Sequence, residues 1–277
     1  MSAGQGIVDV EIDGLRWVVR VAGAGPALLL LHGFTGSGRS WDELIAAATA
    51  AGCTMIAPDL PGHGGTAWRA GGATVERTAD DLAGLLRALG CERAHVVGYS
   101  MGARIALRLA VAHPACVVRL VLEAPSAGVA DPDERAARCA ADEALALALD
   151  RDGIVPFVDA WEATPVLAGE ARLGSAPRTS LRTIRLGHHP AGLAASLRDA
   201  GQGAMAPLHD RLGEISTPTL VIVGSVDPAR DRAAAVAAGI PGARLAVIDG
   251  AGHAPHLEAP DAFNRLVLDF IWEEHAA

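Results

Sequence analysis

Gly98-Tyr99-Ser100-Met101-Gly102 is a G-x-S-x-G pentapeptide set between two different kinds of sequence. Ahead of it, Ala94-His95-Val96-Val97 is short and apolar enough for a buried strand. Behind it, Ala103 to Ala110 carries Ile105, Ala106, Leu107 and Leu109 in a helix-favouring composition. A serine on so tight a strand-to-helix turn takes a strained backbone conformation. The flanking glycines let the turn pack closely, while the hydroxyl stands clear of the sheet edge beside the positive end of the helix. By itself the pentapeptide leaves two readings open: a catalytic serine, or a glycine-rich junction that only joins strand to helix.

Working outward, strands and helices alternate. Val8 to Ile12 and Leu15 to Val21 read as an antiparallel pair around Asp13-Gly14. Ala27 to Leu31 is a nearly continuous apolar strand, followed by a glycine-rich loop and a helix from about Trp41. Thr54 to Ala57 is a further strand, and a helix from about Thr78 to Leu89 leads to the strand before Ser100. Val117 to Leu122 supplies the next strand. This rhythm predicts an α/β fold with a mostly parallel central sheet flanked by helices.

From about Ser126 to Arg211 the rhythm breaks into charge-bearing helical segments such as Asp133 to Leu149, punctuated by Pro165, Pro177 and Pro190. It resumes at Pro218 to Gly224 and Leu245 to Ile248, and a helix from about Asp261 to Glu274 closes the chain. The expected organisation is a core of residues 1–125 and 213–277, interrupted by a helical cap of residues 126–212. Such a cap belongs over the carboxyl ends of the strands, where ligands bind.

Asp227 follows one late strand through Gly224-Ser225-Val226, and His253 follows the next in Gly250-Ala251-Gly252-His253. Ser100, Asp227 and His253 thus stand in that order, each on a loop at one edge of one sheet. A histidine takes the serine proton, and an aspartate on its other ring nitrogen fixes the tautomer and stabilises the imidazolium. Each residue alone reads as an ordinary loop residue; together they point to catalysis. His32-Gly33-Phe34 ends another parallel strand, which places the Phe34 amide with that of Met101 as a candidate oxyanion hole. His63, in Asp59-Leu60-Pro61-Gly62-His63-Gly64, sits in a tight turn and reads as structural.

Composition narrows the partners. The 277 residues are 51% hydrophobic and 20% charged, with a net charge of −9, and no basic run is present to neutralise nucleic-acid phosphates. All 23 basic side chains are arginine, which excludes a Schiff-base lysine and a P-loop lysine. Cys53, Cys91, Cys116 and Cys139 form no C-x-x-C pair, and neither a metal cluster nor a dinucleotide fingerprint is visible, so no cofactor or metal is expected. No secretory leader or membrane-length apolar run is visible either, so no membrane partner is expected and the expected setting is cytoplasmic.

The H-G-F, D-L-P-G-H-G, G-Y-S-M-G, D and G-H elements, in this order over nearly the whole chain, resemble the α/β-hydrolase family. Within it the chain is similar to the 2-succinyl-6-hydroxy-2,4-cyclohexadiene-1-carboxylate synthases (MenH), pyruvate-eliminating lyases of menaquinone biosynthesis. That likeness rests on Leu31 to Ser37 with Trp41, Gly98 to Arg104, Glu134-Arg135-Ala136-Ala137-Arg138, Trp161, and Arg185 ahead of Leu193 to Leu197. It implies a small polycarboxylate substrate, and arginine forks suit carboxylates. Arg104 lies one helical turn after Ser100 and can face the same cavity. Arg138, Trp161 and Arg185 are assigned to substrate by the likeness, and Tyr99, the only tyrosine, stands beside the serine. Pro228-Ala229-Arg230 after Asp227, and Glu162 after Trp161, depart from the relatives' pattern. Two other readings remain: a serine hydrolase of a small ester or carbon–carbon bond working through an acyl-enzyme, and a non-catalytic binding protein on the same scaffold.

Overall fold

Ala27–Leu31 (β3) is buried at all five positions, as a strand inside a sheet covered on both faces must be. In the computed structural model, which describes residues 6–69 and 71–273, β3 lies between β4 (Thr54–Pro58) and β5 (Ala94–Tyr99) and runs parallel to both. Beyond β5 the sheet continues in parallel through β6 (Val117–Glu123), β7 (Thr219–Gly224) and β8 (Arg244–Ile248). At the other edge β2 (Leu15–Gly23) pairs antiparallel with β4, and β1 (Gly6–Ile12) antiparallel with β2. Eight strands therefore stand in the order β1-β2-β4-β3-β5-β6-β7-β8, a mostly parallel sheet as the sequence predicts. The β1–β2 turn has Asp13 at φ 48° and Gly14 at φ 71°, the two positive values that a two-residue hairpin turn needs.

Alternate residues of each strand face opposite layers. Leu29 and Leu31 pack with Leu82 and Leu86 of α2 (Val75–Ala88), Ile105 of α3 (Met101–Ala112) and Val236 of a helix at Arg230–Gly239. Leu28 and Leu30 pack on the other side with Leu44 and Ile45 of α1 (Asp42–Ala50) and with Phe263 and Val267 of a helix at Pro260–Trp272. The helix at Arg230–Gly239 was not foreseen, because its alanine-rich sequence carries no apolar stripe. Helix α2 starts three residues ahead of the expected Thr78, where the Thr74 hydroxyl accepts the Arg77 amide at its N-terminus. Glu274, the expected end of the last helix, lies outside the described residues.

Between β6 and β7 stand α4 (Pro132–Asp152), α5 (Ile154–Glu162), a 3-10 segment (Pro165–Arg172), α6 (Ser175–Leu186) and α7 (Pro190–Ala200). This helical insertion has its own apolar cluster of Ala146, Leu149, Phe157, Val158, Leu193 and Leu197, against which Phe34 of the core packs. Among the described residues, no helix is long and apolar enough to cross a membrane.

Candidate active site

Ser100 joins β5 to α3 at φ 51° and ψ −105°, a left-handed conformation that a serine keeps only under constraint. The constraint is visible. Its amide donates to the Glu123 carbonyl at 2.9 Å, and its carbonyl accepts the Arg104 amide at 3.2 Å. A β-carbon on Gly98 would stand 2.5 Å from the Gly102 carbonyl oxygen, so the turn closes only with glycine there.

The Ser100 hydroxyl lies 3.1 Å from His253 Nε2, and His253 Nδ1 lies 3.0 and 3.1 Å from the two oxygens of Asp227. Asp227 is buried, and its Oδ1 also accepts the Ala229 amide at 2.8 Å. With Nδ1–H donated to Asp227, Nε2 is left to accept from Ser100, the arrangement that general-base chemistry requires. Two carboxylates hold the histidine loop. Glu258 accepts the amides of Gly252 and Ala254 at 2.8 and 3.2 Å, while Glu123 Oε1 accepts both the amide and Nδ1–H of His256 at 2.9 Å.

Neither the Phe34 nor the Met101 amide donates to an acceptor among the described residues, and both residues line the cavity that contains Ser100 and His253. His63 stays out of it. It is buried, with Nδ1–H on the Pro61 carbonyl and Nε2 accepting the Thr35 amide, and burial holds it well below the ordinary histidine value.

The cavity has a volume of about 570 Å³, and Tyr99, Arg104, Arg138 and Trp161 stand in its wall with the serine. Arg104 is buried, donates Nη1–H to the Ala200 carbonyl at 2.9 Å, and has no carboxylate partner among the described residues. Burial and the neighbouring Arg138 push its guanidinium down to about 10 against the opposing field of Asp142, and a bound anion would stabilise its charge further. Arg138 is differently placed: its Nε and Nη2 are paired with Asp142, and its Nη1 reaches Gln202 Oε1 at 3.2 Å. The Trp161 indole N–H donates to Thr35 Oγ1 at 3.1 Å, and burial holds the Tyr99 phenol well above its ordinary value.

Arg185 does not join this group. Its guanidinium forks onto Glu170 at 2.6 and 2.8 Å and reaches Glu162 at 3.1 Å, beside a smaller pocket on the far side of Tyr99. Helical spacing does not announce this pairing, because Glu170 lies fifteen residues away on the 3-10 segment Pro165–Arg172. Glu162, for its part, is bound by Arg182 and Arg185 and is absent from the cavity lining. The sequence reading also missed Ser126, Gln202 and Arg232, which line the cavity. Gln202 and Ser126 carry no motif, while Arg232 lay in the unforeseen helix.

The sequence pattern of the alpha/beta hydrolase family matches residues 28–266. A Bacillus subtilis (strain 168) protein provisionally named 2-succinyl-6-hydroxy-2,4-cyclohexadiene-1-carboxylate synthase is 34% identical over 96% of this chain and 98% of its own length. The structure of MenH from S. aureus superposes with a TM-score of 0.87 at 31% identity, covering 91% of this chain and 97% of that one. A thermophilic esterase from Thermogutta terrifontis, solved with malate bound, gives a TM-score of 0.84 at 28% identity over 96% of this chain and 98% of its own. With its matched pattern, its sheet order and its strand-to-helix serine, the chain belongs to the α/β-hydrolase family.

Proposed function

We propose that this protein is a carbon–oxygen lyase that eliminates pyruvate from 2-succinyl-5-enolpyruvyl-6-hydroxy-3-cyclohexene-1-carboxylate, a step of menaquinone biosynthesis. The observation that carries the reading is Arg104: a buried guanidinium without a carboxylate partner among the described residues, in the same cavity as Ser100 and His253. A neutral ester has no use for such a charge, whereas a substrate with three carboxylates does. Arg138 offers its Nη1 edge, and Arg232 a second guanidinium without a carboxylate partner among the described residues.

In this reading His253, oriented by Asp227, accepts the Ser100 proton as Ser100 takes a proton from the ring. The electrons of the broken C–H bond form a ring double bond, the existing alkene shifts by one position, and the ring C–O bond to the enolpyruvyl group breaks. The departing enolate takes up a proton and becomes pyruvate, and the ring is left as a conjugated diene. The Phe34 and Met101 amides face the negative charge that develops during the transfer. No acyl-enzyme forms, so the serine acts as a general base.

The likeness to an esterase supports a second reading, hydrolysis of a small anionic ester through an acyl-enzyme on Ser100. One experiment separates them: pyruvate release from freshly generated substrate, corrected for spontaneous elimination, in wild type, Ser100→Ala and Arg104→Met. The lyase reading expects fast release that collapses in Ser100→Ala, and a loss in Arg104→Met of roughly 30- to 150-fold in kcat/KM. No enzyme-dependent release overturns it in favour of the hydrolase.

A further inference from the structure

Thr35 is a β-branched residue at φ 64°, only 3% exposed, immediately after Phe34. A threonine stays in the left-handed region only where its surroundings hold it there. Here all three of its polar groups are engaged. Its amide donates to His63 Nε2 at 3.3 Å, its carbonyl accepts His188 Nε2–H at 2.9 Å, and its Oγ1 accepts the Trp161 indole N–H at 3.1 Å. His63 belongs to the core, but His188 and Trp161 both belong to the insertion between β6 and β7.

The histidine has one usable tautomer. His188 Nδ1 accepts the Gly64 amide at 2.9 Å, so the ring proton must sit on Nε2, where it meets the Thr35 carbonyl. Rings fill the space around these bonds: His63 lies 5.3 Å from His188 and 5.6 Å from Phe34, and Phe34 lies edge-on to Trp161 at 5.3 Å. On the other side of Phe34, the Gly33 carbonyl takes the Gly36 amide at 3.0 Å and His32 Nδ1–H at 2.8 Å. The chain is thus fixed before and after Phe34, and the Phe34 N–H is left without an acceptor among the described residues.

We propose that His188 and Trp161 are positioning residues: by holding Thr35 they aim the Phe34 amide into the cavity, so that the oxyanion site is complete only when the insertion is seated. This rests on the oxyanion role given to Phe34 above. Relaxing Thr35 toward negative φ redirects the chain one residue after that amide, and the donor leaves its line.

The test compares His188→Ala, His188→Gln and His188→Asn with Thr35→Val, Trp161→Phe and the double variant of the last two. Two rates are read: pyruvate release, as kcat and KM, and phosphonylation of Ser100 by a fluorophosphonate, whose transition state also places charge at the oxyanion site. His188→Ala should lower both rates about 10- to 100-fold with KM nearly unchanged. A glutamine amide reaches the place of Nε2–H and should restore most of the rate. An asparagine mimics only Nδ1 and should not. Thr35→Val and Trp161→Phe should lose similar amounts, and together no more than either alone. Rescue by asparagine as good as by glutamine, losses confined to KM, or fully additive losses would overturn the proposal. If wild type releases no pyruvate yet the same rank order appears in phosphonylation, the lyase reading fails and the positioning role stands.

Discussion

Gly102 of α3 packs against the end of β3 so closely that a β-carbon on it would stand 2.0 Å from the Leu31 carbonyl oxygen. The carbonyl is backbone and a β-carbon is fixed directly to the helix backbone, so neither can swing aside. Glycine to alanine inside a helix ordinarily stabilises by up to about 1 kcal/mol. Here the sign reverses. Gly102→Ala should destabilise the fold by on the order of 3 kcal/mol, because α3 must lift off β3 and carry Ser100 with it. Urea denaturation of the variant checks this, and stability equal to or above wild type would show that the helix has room to move.

Asp227→Asn tests the orientation of His253 rather than its presence. An asparagine keeps the volume and can keep an oxygen for the Ala229 amide. Its amide group, turned to the ring, invites the tautomer with Nδ1 unprotonated and leaves Nε2–H facing Ser100, which is then no longer able to give up its proton. A loss of about 100- to 10,000-fold in kcat is expected in pyruvate release, with an unchanged thermal midpoint. Activity within a few-fold of wild type would mean that His253 does not serve as the base. The lower end of that range is reached if a ring proton acidic enough to leave readily makes the base less demanding.

The sheet was legible because its strands write themselves as short apolar runs: Ala27–Leu31 matches residue for residue, the serine and aspartate loops follow buried runs of this kind, and the histidine loop follows the apolar edge strand β8, where Leu245 and Val247 stay exposed. The helical segment Asp133 to Leu149 was legible from its charge-bearing, helix-favouring composition, whereas the short alanine-rich Arg230–Gly239 carries no apolar stripe to mark it. What spacing does not encode is the partner of a long side chain. Arg104, Arg138 and Arg185 look alike in sequence, yet one forms no ion pair with a carboxylate among the described residues, one is clasped by Asp142 a helical turn away, and one is neutralised by Glu170 of a 3-10 segment. The left-handed turn at Thr35 was equally hidden, since a threonine rather than one of the loop's glycines takes the positive φ.

Acid should weaken this fold before its carboxylates titrate. Burial holds His32 down to about 4 from an ordinary value of 6.5, and also lowers His63 and His188, which pack against one another. A histidine kept neutral in the folded state contributes nothing to pH dependence above the unfolded value. Below it, the unfolded chain takes up a proton that the folded chain refuses, and stability falls until the folded value is reached. For His32 alone that loss amounts to about 3 kcal/mol between pH 6.5 and 4. Thermal midpoints should therefore be level from pH 8 to 7 and fall steadily from 6.5 to 5. A level profile down to pH 5 would mean that the three rings are protonated in place.

Arg185 is the residue on which the likeness to the synthases and the geometry part company. The likeness assigns it to substrate, but its side chain and that of Glu170 are only 7% and 12% exposed and face each other as a two-point fork. Arg185→Met should cost about 3–5 kcal/mol, because it leaves Glu170 buried without its counter-charge. Glu162 keeps Arg182, so the damage should stay local to Glu170. Adding Glu170→Met removes the stranded charge and should return most of the stability, since a buried pair replaced by apolar groups of similar size is close to neutral. Kinetics of that double variant then decide the role. A structural fork predicts KM for the polycarboxylate within about threefold of wild type, far from the effect of Arg104→Met, whereas a rise of tenfold or more at restored stability would show that Arg185 leaves Glu170 to meet the substrate.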